Sequence, residues 1–135
     1  MPDLNCIVVT PEATALEQSA EFVALPLYDG EIGIAPGHSP MIGRLGFGEM
    51  RLRGKGGVQR YYVDGGFVQI ADNVVSVLTS RAIPAHEVDT QKAKAQLEEA
   101  RGQSSNTPEL MEIRDRTVSQ ARAMIRVSQK SDAKN

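Results

Sequence analysis

The residues that could do chemistry in this chain are few: two histidines, one cysteine, and scattered serines and carboxylates. His38 and His86 have nothing near them at metal-ligand spacing, and a zinc site would need further Cys or carboxylate ligands converging from elsewhere. Ser39, Ser76 and Ser80 lack the strand-turn-helix context of a nucleophile elbow. Asp29 and Glu31 are close together, but nothing around them suggests a cleft for acid–base work. Gly46-Phe47-Gly48 and Gly54-Lys55-Gly56-Gly57 fit neither dinucleotide-binding nor P-loop spacing, and neither opens a helix, so both read as turns. Cys6 lies in an apolar run and reads as a buried, inert thiol. No catalytic constellation emerges.

The elements that would position any site follow from the punctuation of the chain. Leu4 to Thr10 is strand-like, with β-branched Ile7, Val8 and Val9, and Pro11 ends it. Two further short alternations fall between Ala13 and Leu27. Asp29-Gly30 marks a tight turn, and Glu31 to Ile34 alternates again. The stretch Tyr28–Leu45 carries four glycines and two prolines among large apolar side chains, which predicts strand pieces joined by fixed corners. Gly46–Arg53 and Gln59–Val63 read as a hairpin with an exposed glycine-rich tip. Asp64-Gly65-Gly66 reads as a turn, Phe67 to Ala71 as a strand, Asp72-Asn73 as a turn and Val74–Leu78 as the last strand. Turns at this frequency, without helical periodicity, predict an all-β sandwich or barrel.

Near Arg81 the pattern changes. Asp89 is a candidate N-cap, and Thr90, Ala93, Leu97 and Ala100 share one helix face. Thr107 with Pro108 opens a second helix to about Ser128, lined by Leu110, Ile113, Thr117, Ala121, Met124 and Ile125. Residues from Gln129 onward are expected to fray. The chain therefore divides into a β domain over 1–83 and a helical hairpin over 84–135. The hairpin's narrow, Ala-rich faces predict weak packing. Arg122, Arg126, Lys130 and Lys134 form a basic stripe every four residues, preceded by Arg114 and Arg116.

Composition bounds the partners. The 135 residues carry a formal net charge of −2, which argues against a nucleic-acid binder. Residues 81–135 are net basic and are the half suited to an acidic partner. One cysteine excludes an internal disulfide and suits a reducing compartment. No signal peptide is evident and no apolar run spans a bilayer, so direct membrane insertion is not expected.

Glu31-Ile32-Gly33-Ile34-Ala35-Pro36-Gly37-His38-Ser39-Pro40 closely resembles the G-E-L-G-I-x-P-G-H-x-P segment of the ATP synthase epsilon subunit family. Met41–Leu52, Val63-Asp64-Gly65-Gly66-Phe67 and Val74–Thr79 resemble that family in order and spacing, so the likeness covers essentially the whole chain. It implies a ten-stranded β-sandwich followed by two α-helices, with no active site and no metal. It implies a non-catalytic rotor subunit, peripheral on the cytoplasmic face of the inner membrane, that couples rotation to ATP synthesis. The partners it implies are the gamma subunit, the c-ring, and the beta subunit through the last helix. Glu31, Gly33, His38 and Met41 would form the contact segment, Glu31 toward the c-ring and His38 toward gamma. Arg116, Arg122 and Arg126 would approach beta when the hairpin extends and blocks hydrolysis. Nucleotide-sensing members carry [IL]-D-x-x-R-A, where this chain has Val88-Asp89-Thr90-Gln91-Lys92-Ala93. Lys92 cannot reproduce the planar fork of Arg, which weighs against ATP binding at Asp89 and Lys92. The rival readings are a stand-alone β-sandwich that captures a small ligand, and a cupin-like enzyme that would need more metal ligands than two histidines supply. Co-purification with a gamma-like subunit separates the first rival from the rotor.

Overall fold

The computed structural model describes residues 3–103 and 106–133, with side chains described to Gln129. Eight strands precede two helices: β1 (Leu4–Val9), β2 (Thr14–Ala20), β3 (Phe22–Leu27), β4 (Gly30–Ile34), β5 (Met41–Gly54), β6 (Gly57–Ala71), β7 (Val74–Leu78), β8 (Ala82–Pro84), α1 (Thr90–Gly102) and α2 (Pro108–Ala133). The strands form one sheet in the order β2-β1-β7-β6-β5-β3-β4, with β8 paired to β6. Every pairing is antiparallel except β1 with β7.

The sheet closes on itself because β5 and β6 bend together. They stay in register from Met41↔Ile70 to Gly54↔Gly57, and pairing lapses only at Gly46 and Gly65. At that bend the inward-facing set changes phase. Leu45 points into the core before it, and Met50 and Leu52 after it; on β6 the set runs Val63, then Val68 and Ile70. Side chains alternate strictly along a regular strand, so the change of phase requires a local break in the pleat. Glycine permits the break. Gly66 has φ +106°, and a Cβ there would lie 1.8 Å from the Leu78 carbonyl oxygen. A Cβ on Gly46 would lie 2.8 Å from the Leu27 carbonyl oxygen.

This bend corrects two expectations. Asp64-Gly65-Gly66 is not a turn between strands but a kink inside β6. Among the described residues the strand count is eight rather than ten, because β5 and β6 are each a single bent strand serving both layers. The Asp72-Asn73 turn falls as read, both residues having positive φ as a two-residue hairpin turn demands, whereas the turn read at Asp29-Gly30 lies one residue earlier. The tip of the β3–β4 hairpin is Tyr28-Asp29, since Leu27 pairs with Gly30.

The sandwich core is aliphatic, drawn from β1 through β7. Cys6 lies fully inside it, and burial pushes its thiol up to about 12. The helices begin as read. The Asp89 carboxylate accepts from the Lys92 backbone N–H at 3.0 Å, and the Thr107 hydroxyl accepts from the Leu110 N–H at 3.2 Å. Arg114 Nε donates to the last-turn Ala100 carbonyl of α1 at 3.1 Å, so this cation caps a helix rather than joining a free basic stripe.

The face of α2 differs from expectation. Ala121, Ala123, Met124 and Val127 are buried, whereas Leu110, Met111 and Ile113 are exposed. Only the second half of α2 reaches the apolar cluster of Tyr62, Ala85, Val88 and Ala93. The helix also continues to Ala133, past the expected end at Ser128.

The bend yields a stability test. Gly66→Ala should cost at least about 3 kcal/mol, from the φ and the backbone overlap together, lowering the thermal midpoint by about 10 °C. Gly102→Ala, which meets nothing within 4 Å in a helix, should be neutral or stabilising by up to about 1 kcal/mol. Thermal melts of the two variants check both.

Candidate functional site: the interaction surfaces

The segment singled out in the sequence is spread over β4 and the corner beyond it. Glu31 sits on β4, an edge of the sheet, opposite Pro26. Its carboxylate pairs with Arg51 at 3.2 Å. Arg51 also donates to Glu49 at 3.1 Å, and Arg60 donates to the same Glu49 oxygen at 3.1 Å. Four charges of alternating sign thus cross the outer face of the sheet from β4 to β6. Arg51 has its pKa raised: partial burial pulls it down, but Glu49 and Glu31 outweigh that. Glu49 is 7% exposed, and its second carboxylate oxygen is buried without a hydrogen-bond partner.

Gly33 is a packing position. A Cβ there would meet the Phe22 ring at 2.7 Å, and Arg53 stacks on that ring with its guanidinium 5.0 Å from the centroid. His38 lies beyond the far end of β4 from Glu31. Its Nδ1–H donates to the Ser39 carbonyl at 2.7 Å, which sets the tautomer. The corner itself is fixed by Gly37 N–H donating to Asn73 Oδ1 at 2.7 Å. Met41 is half-buried against the core opposite Ile70. Glu31 and His38 therefore occupy two ends of one edge rather than one site.

A second surface was missed by reading for polar chemistry. Val9, Leu78 and Phe67 are neighbours on successive strands, and Arg44 lies opposite Phe67 on β5. Arg44 stacks over the Tyr28 ring at 4.6 Å. Phe67 is 57% exposed, Leu78 53%, Tyr28 71% and Ile42 73%. A shallow hollow of about 330 Å³ beside Val9, Pro11, Gly66 and Leu78 extends this apolar row. The signal was present in the sequence. Phe67 is out of phase with Val68 and Ile70, and Leu78 with Val75 and Val77, so both had to face outward.

The third surface joins sheet and helices. Asp64, 7% exposed, accepts from Tyr62 Oη at 3.1 Å and from Gln120 Nε2 of α2 at 2.8 Å on one oxygen. Its other oxygen accepts from Arg81 Nε at 3.0 Å. Its backbone N–H donates to Thr79 Oγ1 at 3.0 Å. Burial first, then the Asp64 charge, raises the Tyr62 phenol well above its ordinary range. Within the hairpin, Thr90 Oγ1 donates to Ser128 Oγ at 2.8 Å.

Asp89 and Lys92 border a cleft of about 190 Å³ together with Ala93, Gln96 and Met124. That is smaller than usual small-molecule sites, and the Asp89 carboxylate is already engaged as a cap. Arg116 lines a crevice between α2 and the sheet bend, while Arg122 and Arg126 are exposed on α2. Lys134 and the side chain of Lys130 lie outside the described residues. Among the described residues no cluster of three or more His, Cys, Asp or Glu is placed to hold a metal ion. No described helix is long and apolar enough to cross a membrane.

The chain is a bent β-sandwich with a helical hairpin on one outer face and a bare apolar row on another. The profile of the ATP synthase delta/epsilon chain β-sandwich domain matches residues 3–85. The chain is 51% identical over 125 residues to the ATP synthase epsilon chain of Rhodopirellula baltica, covering 93% of this chain and 98% of that one. It is 37% identical over 121 residues to the epsilon chain of Desulfitobacterium hafniense, covering 90% and 91%. The fold matches a chain in the Euglena gracilis mitochondrial ATP synthase, with a TM-score of 0.83 at 23% identity over 92% of this chain and 81% of that one. It also matches a chain in the central stalk and c-ring of the Tetrahymena thermophila enzyme, with a TM-score of 0.70 at 16% identity over 94% and 97%. The chain belongs to the ATP synthase epsilon-chain family.

The charged ladder separates structural from surface roles. Arg51→Met removes a donor from buried Glu49 and should cost about 2 kcal/mol, while Glu31→Gln should cost under about 1 kcal/mol because that pair is solvent-exposed. Urea titrations of the two variants check the contrast.

Proposed function

We propose that this chain joins a gamma-type shaft subunit to the membrane c-ring, so that the parts of an ATP synthase rotor turn together. The observation that carries this is the exposed row Val9–Leu78–Phe67–Arg44–Tyr28, with Ile42 beside it. The outer face of a sandwich strand is ordinarily polar, and a contiguous apolar patch marks an interaction surface. The row runs on β5 toward the rigid His38 corner, which suits a long shaft lying across both. Glu31, at the other end of β4, offers a carboxylate to a polar ring loop, with Arg51 holding it in place. Family membership and relatives named as epsilon chains support the reading. As a peripheral rotor part, the chain sits at the cytoplasmic face of the membrane through its partners. Phe67→Glu should leave the thermal midpoint nearly unchanged and weaken binding to a purified gamma-type subunit at least about tenfold. Failure of the unmodified chain to bind such a subunit at micromolar concentration would overturn the reading.

A second role is favoured by the hairpin. Its contact with the sheet sets Ala85, Ala93 and Ala123 beside Val88, Met124 and Val127 around Tyr62, and Leu110, Met111 and Ile113 of α2 are bare. The three alanines bury little area each, which weakens the docking. Once extended, it presents Arg116, Arg122 and Arg126 to an acidic segment of the beta subunit and blocks rotation in the hydrolysis direction. Ending the chain after Ala85 should preserve assembly and raise ATP hydrolysis by the assembled enzyme. Unchanged hydrolysis would remove the inhibitory role and leave the coupling role standing.

A further inference from the structure

We infer that Asp64 and Gln120 form a releasable latch that sets how often the hairpin leaves the sandwich. The inference deepens the reading of the hairpin as a movable arm and rests on it, but it concerns the isolated chain and makes no claim about hydrolysis.

Three facts carry it. First, the Gln120–Asp64 bond at 2.8 Å runs between α2 and β6, whereas Thr90–Ser128 and Arg114–Ala100 are bonds inside the hairpin. The hairpin's own bonds travel with it when it moves, and the Asp64 bond does not. Second, Asp64 keeps its other partners when Gln120 leaves. Tyr62 and the Arg81 guanidinium both belong to the sandwich side, and Thr79 Oγ1 holds the backbone N–H of the same residue. A buried carboxylate left without partners would make opening very costly, and here none is left. Gln120 in turn carries no charge, and its amide is satisfied by water once α2 is free. Third, the remaining contact is one apolar cluster in which Ala85, Ala93 and Ala123 stand beside Tyr62, Val88, Met124 and Val127, and a charge-assisted hydrogen bond at its edge adds to what holds the helix. Asp64 also directly precedes the Gly65-Gly66 kink. The bend that closes the sandwich thereby aims this carboxylate at α2.

The latch can be tested by placing a second carboxylate against Asp64. In the full-length chain, Gln120→Glu sets two acids in hydrogen-bond range, with Arg81 the charged group already facing Asp64 and Tyr62 a neutral donor. The docked state then favours a shared proton, so the pair's apparent pKa is higher docked than undocked. Docking is accordingly lost as pH rises through that range and restored as pH falls. Hydrogen exchange of peptides covering Ala121–Val127, corrected for intrinsic rates, should be at least about tenfold faster than in the unmodified chain near pH 7.5. It should return to within about twofold of it near pH 4.5. The same peptides in Gln120→Met should exchange faster by an equal factor at both pH values. Peptides covering Val74–Leu78 report the sandwich fold and should not change. Wild-type protection in Gln120→Glu at the higher pH would overturn the latch. So would equal loss of protection at both pH values, which would mean that the helix and not the charge pair had been disturbed.

Discussion

The close approach of Gly66 to the Leu78 carbonyl is the constraint on which the rest of the structure depends. A backbone oxygen 1.8 Å from where a Cβ would stand leaves room for hydrogen alone, at a φ that other residues rarely adopt. With Gly46 on the partner strand, it lets two long strands fold across both layers without losing their register. Folding a single sheet in this way produces a core without a second set of strands. It also exchanges the inward and outward sets on either side of the bend. Beyond Gly46, Phe47 and Glu49 face out of the sandwich; before it, Ile42 and Arg44 do. One bend therefore creates two outer faces of different character from the same pair of strands.

The two faces are finished differently, and the proposed function accounts for the difference. Around Tyr62 the outer face is covered by the hairpin and closed by hydrogen bonds to Asp64. Around Phe67 it is bare and apolar. A protein that needed only to be stable would place polar side chains at Phe67, Leu78 and Ile42, because no helix from its own chain covers them. Their presence is intelligible as a surface whose cover comes from another chain. The covered face follows the opposite logic: it is occupied by Ala123, Met124 and Val127 of α2 and by the neutral amide of Gln120.

Much of this was legible in the residues. Most strand boundaries followed from β-branched runs and turn dipeptides, and both helix starts from Asp89 and Thr107, because these are local signals; β5, however, begins at Met41 rather than Gly46, and the three-residue β8 follows the strand read as the last. The kink was misread because Gly-Gly carries the same local signature in a turn between strands and in a bend within one. What decides between them is β5 pairing on both sides of it, a contact distant in sequence. The face of α2 was misread for a related reason. Leu110 and Ile113 have helical spacing with Ala121 and Met124, but periodicity cannot say where along its length a helix meets the sheet. The Asp64 cluster was beyond sequence reading, since Tyr62, Thr79, Arg81 and Gln120 share no spacing and meet only after the sheet has folded. The epsilon-type corner was readable because its identity lies in consecutive residues. What those residues do was less so: Gly33 seats the Phe22 ring and Met41 packs on the core, while Glu31 sits near the start of β4 and His38 in the corner beyond its other end.

The two buried carboxylates show how the molecule can keep one end still while the other moves. Every partner of Glu49 lies on the sheet: Arg51 on β5 and Arg60 on β6, with Glu31 of β4 joined through Arg51. No bond in that ladder reaches a helix. Movement of the hairpin therefore leaves the charge arrangement at the Glu31 edge as it was. Asp64 belongs to both halves, with Tyr62 and Arg81 on one side and Gln120 on the other. It is the carboxylate whose surroundings change when α2 departs. In the proposed role, the chain must hold its grip on the ring whether or not the hairpin is extended. Two carboxylates on neighbouring strands, one bonded wholly within the sandwich and one shared with the arm, meet that requirement with the bonds seen here.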